Sequence, residues 1–301
     1  MPHPLTLCMI VKNEERNLQK CLDSVRDVAD ELIIVDTGSA DATRQIAARN
    51  GATVIPFDFT FVDFSAARNA ALARASGEWI FVLDADETLN PASVPLLYEL
   101  VARNENAGYY AVRRNSRPGE EKSTTDHVIR LFRNSPAHRY RGRVHETIDA
   151  AILASGGRLR KTEIRIDHDF SSDVDTRRRK NHWYIGILKE EIAADPGDDT
   201  RLDFLAAEYH QLEMFDEAAE VAERIVRARP TDPSAHLNAG IYRLIFRPDL
   251  ARARAHFLEA LRLRPDYQEA KSFLETLAEK ERGEAAGRAM RQNALRGQAP
   301  W

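Results

Sequence analysis

The stretch Gly77-Glu-Trp-Ile-Phe-Val-Leu-Asp-Ala-Asp-Glu87 is an apolar run that ends in three carboxylates. Five large apolar residues after a glycine, Trp79 to Leu83, read as a fully buried parallel strand. The acids then sit at its carboxyl end. Because side chains alternate along extended backbone, Asp84 and Asp86 should point the same way, into the crevice where open α/β sheets bind ligands. No Lys or Arg is among their immediate sequence neighbours. Two such carboxylates invite a hard divalent cation, Mg²⁺ or Mn²⁺, of the kind shared between protein carboxylates and substrate phosphates. The competing reading is a strand end followed by a helix start, since Asn90-Pro91 is a good N-cap and N1 pair.

The elements needed to position these acids are legible upstream. Strand and helix patterns alternate: Leu5 to Val11 strand, Arg16 to Asp27 helix, Glu31 to Asp36 strand, Ala40 to Asn50 helix, Thr53 to Phe57 strand, Ser65 to Ala75 helix. Such alternation argues a parallel sheet covered by helices. After residue 108 strand-like pieces follow, Tyr109 to Arg113, Val128 to Arg133, Arg143 to Ile148 and Leu159 to His168, which would complete a mixed sheet on the acceptor side. The polar segment Arg113 to Thr125 reads as a surface loop, with a lid over the donor as the alternative.

Near Ser171 to Lys180 the chain turns polar and then almost wholly helical in period. Pro196, Pro230 and Pro265 recur at spacings of 34 and 35 residues. Within that period Ala206 aligns with Gly240, Ala218 with Ala253 and Ile225 with Ala260, the second repeat being one residue longer. This resembles the tetratricopeptide repeat, although Leu202 stands where that repeat often has Trp and Arg243 where it has Tyr. The expected organisation is an α/β domain over 1–175, a helical repeat domain over 176–285 and a loose tail over 286–301. The basic run Arg177 to Lys180, followed by Trp183 and Tyr184, reads as a solvated helix start, with attraction of a phosphorylated or lipid-linked acceptor as the alternative.

Composition excludes several classes. The 301 residues are 43% hydrophobic and 30% charged, which is globular, and a net charge of −4 gives no general attraction to nucleic acid. Two cysteines, Cys8 and Cys21, do not make a disulfide framework and fit a reducing compartment. Leu5 to Val11 is too short for a membrane span. A cytoplasmic protein is expected, with peripheral contact at the inner face of the membrane allowed.

Four motifs occur in order at strand ends or helix starts: Met9-Ile-Val-Lys-Asn-Glu-Glu15, Val35-Asp-Thr-Gly-Ser-Ala-Asp41, Phe64-Ser-Ala-Ala-Arg-Asn69 and Leu83-Asp-Ala-Asp-Glu87. Together they resemble the family 2 glycosyltransferases of the GT-A fold, in particular bacterial members with tetratricopeptide repeats after the catalytic domain. The resemblance implies a GT-A-type, largely parallel mixed sheet and a metal-dependent, inverting transfer from a nucleotide sugar, with UDP the expected carrier. The acceptor would be a saccharide, a lipid-linked saccharide or a protein, and the repeats would bind a partner or a second copy. The alternative is an interaction scaffold whose first domain only senses nucleotide. Intact acids at 84, 86 and 146 favour the enzyme.

Residue roles follow with their alternatives. Asp36 could accept a hydrogen bond from a pyrimidine imide, or could simply cap its own turn. Glu14 could hold a ribose hydroxyl, or be a first-turn acid favoured by the helix dipole. The resemblance implies that Arg68 faces the nucleotide, and a salt bridge to Asp63 or Asp58 is the competing view. Asp84 and Asp86 are the expected cation ligands, with Asp84 also facing the nucleotide. His168 stands where related enzymes supply an imidazole to the metal, and one nitrogen in an oxygen-rich set favours Mn²⁺; a surface histidine on a strand end is the competing reading. Glu146 stands at the place of the family's catalytic carboxylate and is the expected general base. The usual acidic pair is here His145-Glu146, which keeps His145 open as the base or as a residue that helps hold a phosphate.

Overall fold

In the computed structural model the apolar runs of the first half become parallel strands: β1 (Leu5–Val11), β2 (Glu31–Asp36), β3 (Thr53–Pro56) and β4 (Trp79–Val82). The structure describes residues 4–116, 123–169, 174–246 and 249–295. Between these strands run α1 (Leu18–Val25), α2 (Thr43–Arg49) and α3 (Phe64–Leu72). Every residue of β4 is buried, as five successive apolar side chains require of a strand covered on both faces. One apolar cluster joins α1 and α2 to one face of the sheet, and a second joins α3 to the other.

The chain continues through β5 (Glu87–Leu89), α4 (Val94–Arg103), β6 (Gly108–Ser116), β7 (Thr124–Arg133), α5 (Asp149–Ala154) and β8 (Leu159–Asp169). The eight strands form one mixed sheet in the order β3-β2-β1-β4-β7-β6-β8-β5. Strands β4 and β5 are separated in sequence only by Leu83 to Asp86, yet β5 is the far edge of the sheet, so the sheet curls and brings that edge back to the end of β4. This is the GT-A-like architecture the motifs imply.

Three local readings need correction. The strand expected over Arg143 to Ile148 is an irregular segment with a single bridge, Arg141 to Thr147, where Gly142 and His145 take left-handed backbone (φ +99° and +49°) that interrupts regular extended pairing. The acids at 84 to 87 lead first into β5, and only then does Asn90 cap a short 3₁₀ turn, Pro91–Ser93, that opens α4. The polar segment read as one loop from Arg113 to Thr125 is strand as far as Ser116 and again from Thr124, and residues 117–122, where a lid was the alternative, lie outside the described residues.

The chain folds as two compact units, Met1–Asp173 and Val174–Trp301. Of the stretch read as a polar junction, 170–173 lie outside the described residues, and the basic run Arg177 to Lys180 falls in the first turns of α6 (Val174–Ala194). The second unit continues with α7 (Thr200–Gln211), α8 (Phe215–Ala228), α9 (Pro233–Ile241), α10 (Leu250–Leu263) and α11 (Gln268–Leu295). The residues aligned by the period occupy matching places: Ala206 on α7 and Gly240 on α9, then Ala218 and Ile225 on α8 and Ala253 and Ala260 on α10, with α7 packed on α8 and α9 on α10. A Cβ on Gly240 would sit 2.5 Å from Phe257 Cε1, so the two helices meet where the first has no side chain. The extra residue of the second repeat falls between Gly240 and Ala253, the interval that holds a π-helical turn at Tyr242–Phe246, where one more residue is wound into a turn. Helix α11 runs through Leu295 and so includes part of the sequence read as a tail; residues 296–301 lie outside the described residues. No helix among the described residues is long and apolar enough to cross a membrane.

Candidate active site

Register places the motif residues at one edge. Val11 pairs with Asp36, and Cys8 with Val82, so β1, β2 and β4 end together with Asn13, Asp36 and Asp84 at their carboxyl ends. The first two motifs fasten each other. Asn13 N–H donates to Ser39 Oγ (2.9 Å), Ala40 N–H to Asn13 Oδ1 (2.8 Å), and Glu14 N–H to Thr43 Oγ1 (2.7 Å). Asn13 has φ +58°, a conformation that asparagine tolerates better than most residues.

Asp36 is buried, and both its oxygens accept from Ser39 N–H at 3.2 Å, with Arg44 Nε 3.8 Å from Oδ2. It therefore caps its own turn, and Gly38, with φ +100° and open space where a Cβ would be, leaves the backbone there approachable. Glu14 accepts from Asn17 Nδ2 (2.9 Å). Burial pushes the Glu14 carboxyl up from its ordinary value, the Asn17 bond opposes this, and the negative charge of Asp86, Asp41 and Asp84 adds to the rise. Glu14 thus feels the same anionic edge as the acids of β4.

Arg68 is the hub. Helix α3 begins at the N-cap Asp63, whose Oδ1 accepts from Ala66 N–H (2.8 Å) and Ser65 Oγ (2.7 Å). One turn on, Arg68 Nε donates to Glu146 Oε1 (2.6 Å) and Nη2 to Asp84 Oδ1 (3.0 Å). The alternative partners are otherwise occupied: Asp63 caps the helix and Asp58 accepts from Thr60 N–H. Asn69, the next residue, binds Tyr140 in both directions, to its O at 3.0 Å and from its N–H at 2.9 Å. The irregular segment bearing Glu146 is thereby tied to α3 at two successive residues. Burial alone would lower the affinity of Arg68 for its proton, but Asp84 and Glu146 raise it well above the usual range.

Asp84 has cationic neighbours after all, brought from a distance in sequence. Arg130 Nη2 donates to Asp84 Oδ2 (2.9 Å), opposite the contact from Arg68. Burial would raise the Asp84 carboxyl; Arg130 and Arg68 outweigh it and hold it well below the carboxylate range. Arg130 also binds Glu87, which is fully buried, and Arg113 Nη1 approaches the same Glu87 oxygen at 3.4 Å while its Nη2 reaches Asp126 (2.6 Å). Charges alternate along this line from Glu146 to Asp126. Neither Arg130 nor the burial of Glu87 was anticipated. An arginine inside Val128-Ile-Arg-Leu-Phe132 was the available signal, since a charge in an apolar strand must find a partner.

Asp86 is not in that line. Its Oδ2 lies 3.2 Å from His168 Nε2, because β5 pairs with β8 in the register Glu87 to His168. Asn115, opposite His168 in the β6–β8 register, places Oδ1 at 2.8 Å from His168 Nδ1. Of the expected residues, the structure thus joins Arg68, Asp84 and Glu146 by direct contact and pairs Asp86 with His168. Asp36 and Glu14 share the edge without touching either group, and His145 is placed on the Glu146 segment by its left-handed backbone. Among the described residues no three His, Cys, Asp or Glu side chains converge as a ready cation cage.

Proteins similar to this chain are found both by sequence and by structure. The chain is 42% identical over 150 residues to a TPR repeat-containing protein of Synechococcus elongatus, covering 50% of this chain and 36% of that protein. It is 24% identical over 235 residues to the SPbeta prophage-derived glycosyltransferase SunS of Bacillus subtilis, covering 74% of this chain and 53% of that one. The chain thus spans between about a third and about half the length of these curated relatives. Among solved structures, S. aureus TarS 1-349 in complex with UDP-GlcNAc superposes with a TM-score of 0.49 at 14% identity, covering 93% of this chain and 92% of that one. Residues 6–168, more than half of the chain, match the family model for Glycosyl transferase family 2, and the chain belongs to that family.

Proposed function

We propose that this protein is an inverting glycosyltransferase that moves a sugar from a nucleotide diphosphate donor, with UDP the carrier, to a hydroxyl of a saccharide, lipid-linked or protein acceptor. The observation that carries this reading is the triad Asp84–Arg68–Glu146 at the carboxyl edge of the parallel strands. A guanidinium there can meet diphosphate oxygens in a fixed fork, and it lies against the carboxylate best placed to take a proton. Membership of the family and the glycosyltransferase relatives support the same class.

Each residue has a task that its position allows. Asp36 and the open backbone at Gly38 would receive the base, Asp36 accepting the imide N–H, and Glu14 would hold a ribose hydroxyl. Arg68 would orient the diphosphate. Glu146 is engaged through Oε1 by Arg68, and its other oxygen, Oε2, would take the acceptor proton as the hydroxyl attacks the anomeric carbon and the carbon–oxygen bond to the diphosphate breaks. One such displacement inverts the anomeric centre. His145 is the second candidate for the same proton.

A divalent cation fits Asp86 and His168 rather than Asp84. Both Asp84 oxygens are engaged by guanidinium groups, whereas Asp86 turns a carboxylate oxygen and His168 an imidazole nitrogen toward one another. With Nδ1 directed at Asn115 Oδ1, the second ring nitrogen of His168 faces Asp86, the outer-shell arrangement common to ligating histidines. An oxygen and a nitrogen from the chain, completed by phosphate and water, suit Mn²⁺ or Mg²⁺. When bound, the cation would neutralise charge on the leaving diphosphate.

We also read the second unit as a tetratricopeptide-like array, supported by the repeat spacing, the paired helices and the naming of the Synechococcus relative. It would bind a protein partner or a second copy. The test of the central reading is nucleotide release from a panel of UDP-, GDP-, CMP- and dTDP-sugars in Mn²⁺, Mg²⁺ or chelator. Metal-dependent turnover of UDP-sugars alone supports it, and absence of both turnover and nucleotide binding refutes it.

A further inference from the structure

Arg130 occupies an unusual place in the sheet. The β6–β7 register steps from Tyr109–Leu131 to Tyr110–Ile129, so Arg130 is the extra residue of a β-bulge. A bulge re-aims a side chain that the regular ladder would send elsewhere. Here it sends a guanidinium, only 7% exposed, to the end of β4. A single nitrogen, Nη2, touches both Asp84 Oδ2 and Glu87 Oε1. The second oxygen of Glu87, Oε2, accepts from the backbone N–H of Asp84 at 3.0 Å. Asp84 is therefore gripped twice, at its carboxylate by Arg130 and at its amide by Glu87, and the two grips are joined to each other.

Such a buried arrangement is costly unless each charge is matched. Glu87 is fully buried with guanidinium groups from Arg130 and Arg113, and Arg113 is neutralised in turn by Asp126. Arg130 Nε is buried without a hydrogen-bond partner, a penalty tolerated in exchange for aiming Nη2. Replacement of the group by apolar residues of equal volume would often serve stability as well, whereas the contacts of Arg130 and Glu87 converge on Asp84.

We propose that Arg130 and Glu87 are positioning residues for Asp84: together they fix the carboxylate that meets Arg68, and through that contact they set the affinity for the donor diphosphate. The consequence for the donor rests on the function proposed above, whereas the fixing of Asp84 does not. Because one nitrogen makes both contacts, an ammonium at the same place can also bridge them. Arg130→Lys should therefore retain what Arg130→Gln loses.

The probe is UDP with Mn²⁺, titrated by calorimetry into wild type, Arg130→Gln, Arg130→Lys and Glu87→Gln, each checked for wild-type far-ultraviolet dichroism. Arg130→Gln and Glu87→Gln are expected to weaken binding about 10–100-fold, the scale of one lost hydrogen bond to a charged group, with Arg130→Lys recovering most of it. With a turnover assay, donor KM should rise while kcat changes little. Independently of any nucleotide, three-bond couplings from the Asp84 carboxyl carbon to its backbone nitrogen and carbonyl report its χ1 rotamer. They should show one rotamer in wild type and an average in Arg130→Gln. Equal UDP affinity across folded variants, or unchanged couplings in Arg130→Gln, would overturn the proposal. If wild type itself binds no UDP, the donor assignment falls and the couplings alone decide the positioning role.

Discussion

Arg68 Nε lies 2.6 Å from Glu146 Oε1, joining a helix residue to a carboxylate 78 positions later in the chain. Both side chains are largely buried, at 12% and 14% exposed, so the pair holds the irregular Glu146 segment to α3 as well as fixing the acid's direction. A donor phosphate that draws on Arg68 would compete with Glu146 for the same guanidinium.

Loss of that cation is the first prediction. Arg68→Ala leaves Asp84 and Glu146 without their shared guanidinium and should cost about 10²–10³ in kcat/KM. Arg68→Lys keeps the charge but cannot bridge two carboxylates through separate nitrogens, so it should remain at least about tenfold impaired. Steady-state kinetics beside thermal melts check this, and a Lys variant with wild-type kinetics would remove the need for a fork.

The base can be told from its neighbour. Glu146→Gln should lower kcat by about 10²–10⁴ while UDP affinity stays within a few-fold, and His145→Gln should have the smaller effect. The opposite ranking would make His145 the base.

Packing and propensity disagree at Gly240. Helix propensity alone favours Gly240→Ala by about 1 kcal/mol. The new methyl, however, would sit 2.5 Å from Phe257 Cε1, and Phe257 is buried and stacked on Phe273 at 5.5 Å. The packing effect should win, with a net loss of about 1–3 kcal/mol on denaturant unfolding. Phe257→Leu in the same chain should return part of it, and a stabilised single variant would show that α9 and α10 are loosely packed.

Acid sensitivity has a local source at the other end of the strands. Glu31 Oε2 accepts from Thr6 Oγ1 (2.5 Å) and from Ser76 N–H (2.8 Å). Burial pushes this carboxyl up, but those hydrogen bonds outweigh it and hold it below its ordinary value. A depressed folded value means that the stabilisation is present above the unfolded value and is lost as pH falls through the folded one. Glu31→Gln should therefore lower stability at pH 7, by no more than about 1 kcal/mol given its exposure, and the gap from wild type should close below about pH 4. Melts across that range measure it; a gap that widens on acidification would contradict the assignment.

Much of this was legible in the sequence, and the parts that were not share a cause. Trp79 to Leu83 announced β4 because five large apolar residues after a glycine read as a fully buried strand, and Asp84 and Asp86 followed at its end. Their separate fates were invisible: Asp84 turns to Arg68 and Arg130, and Asp86 to His168, because the sheet curls and β5 pairs with β8. Arg130 reaches the site through a bulge, a one-residue change of register that no periodicity in Val128 to Arg133 displays. The segment Arg143 to Ile148 reads as strand-like in the sequence; left-handed backbone at Gly142 and His145 decides otherwise.

Nucleotide release by wild type and Asp86→Ala, assayed side by side with Mn²⁺ and with chelator, decides whether Asp86 and His168 hold a catalytic cation. Wild type should turn over a UDP-sugar in Mn²⁺ and lose nearly all activity in chelator, and Asp86→Ala should lose activity that added Mn²⁺ does not restore. Equal turnover by the two proteins, or turnover indifferent to chelator, would contradict a cation held by Asp86 and His168.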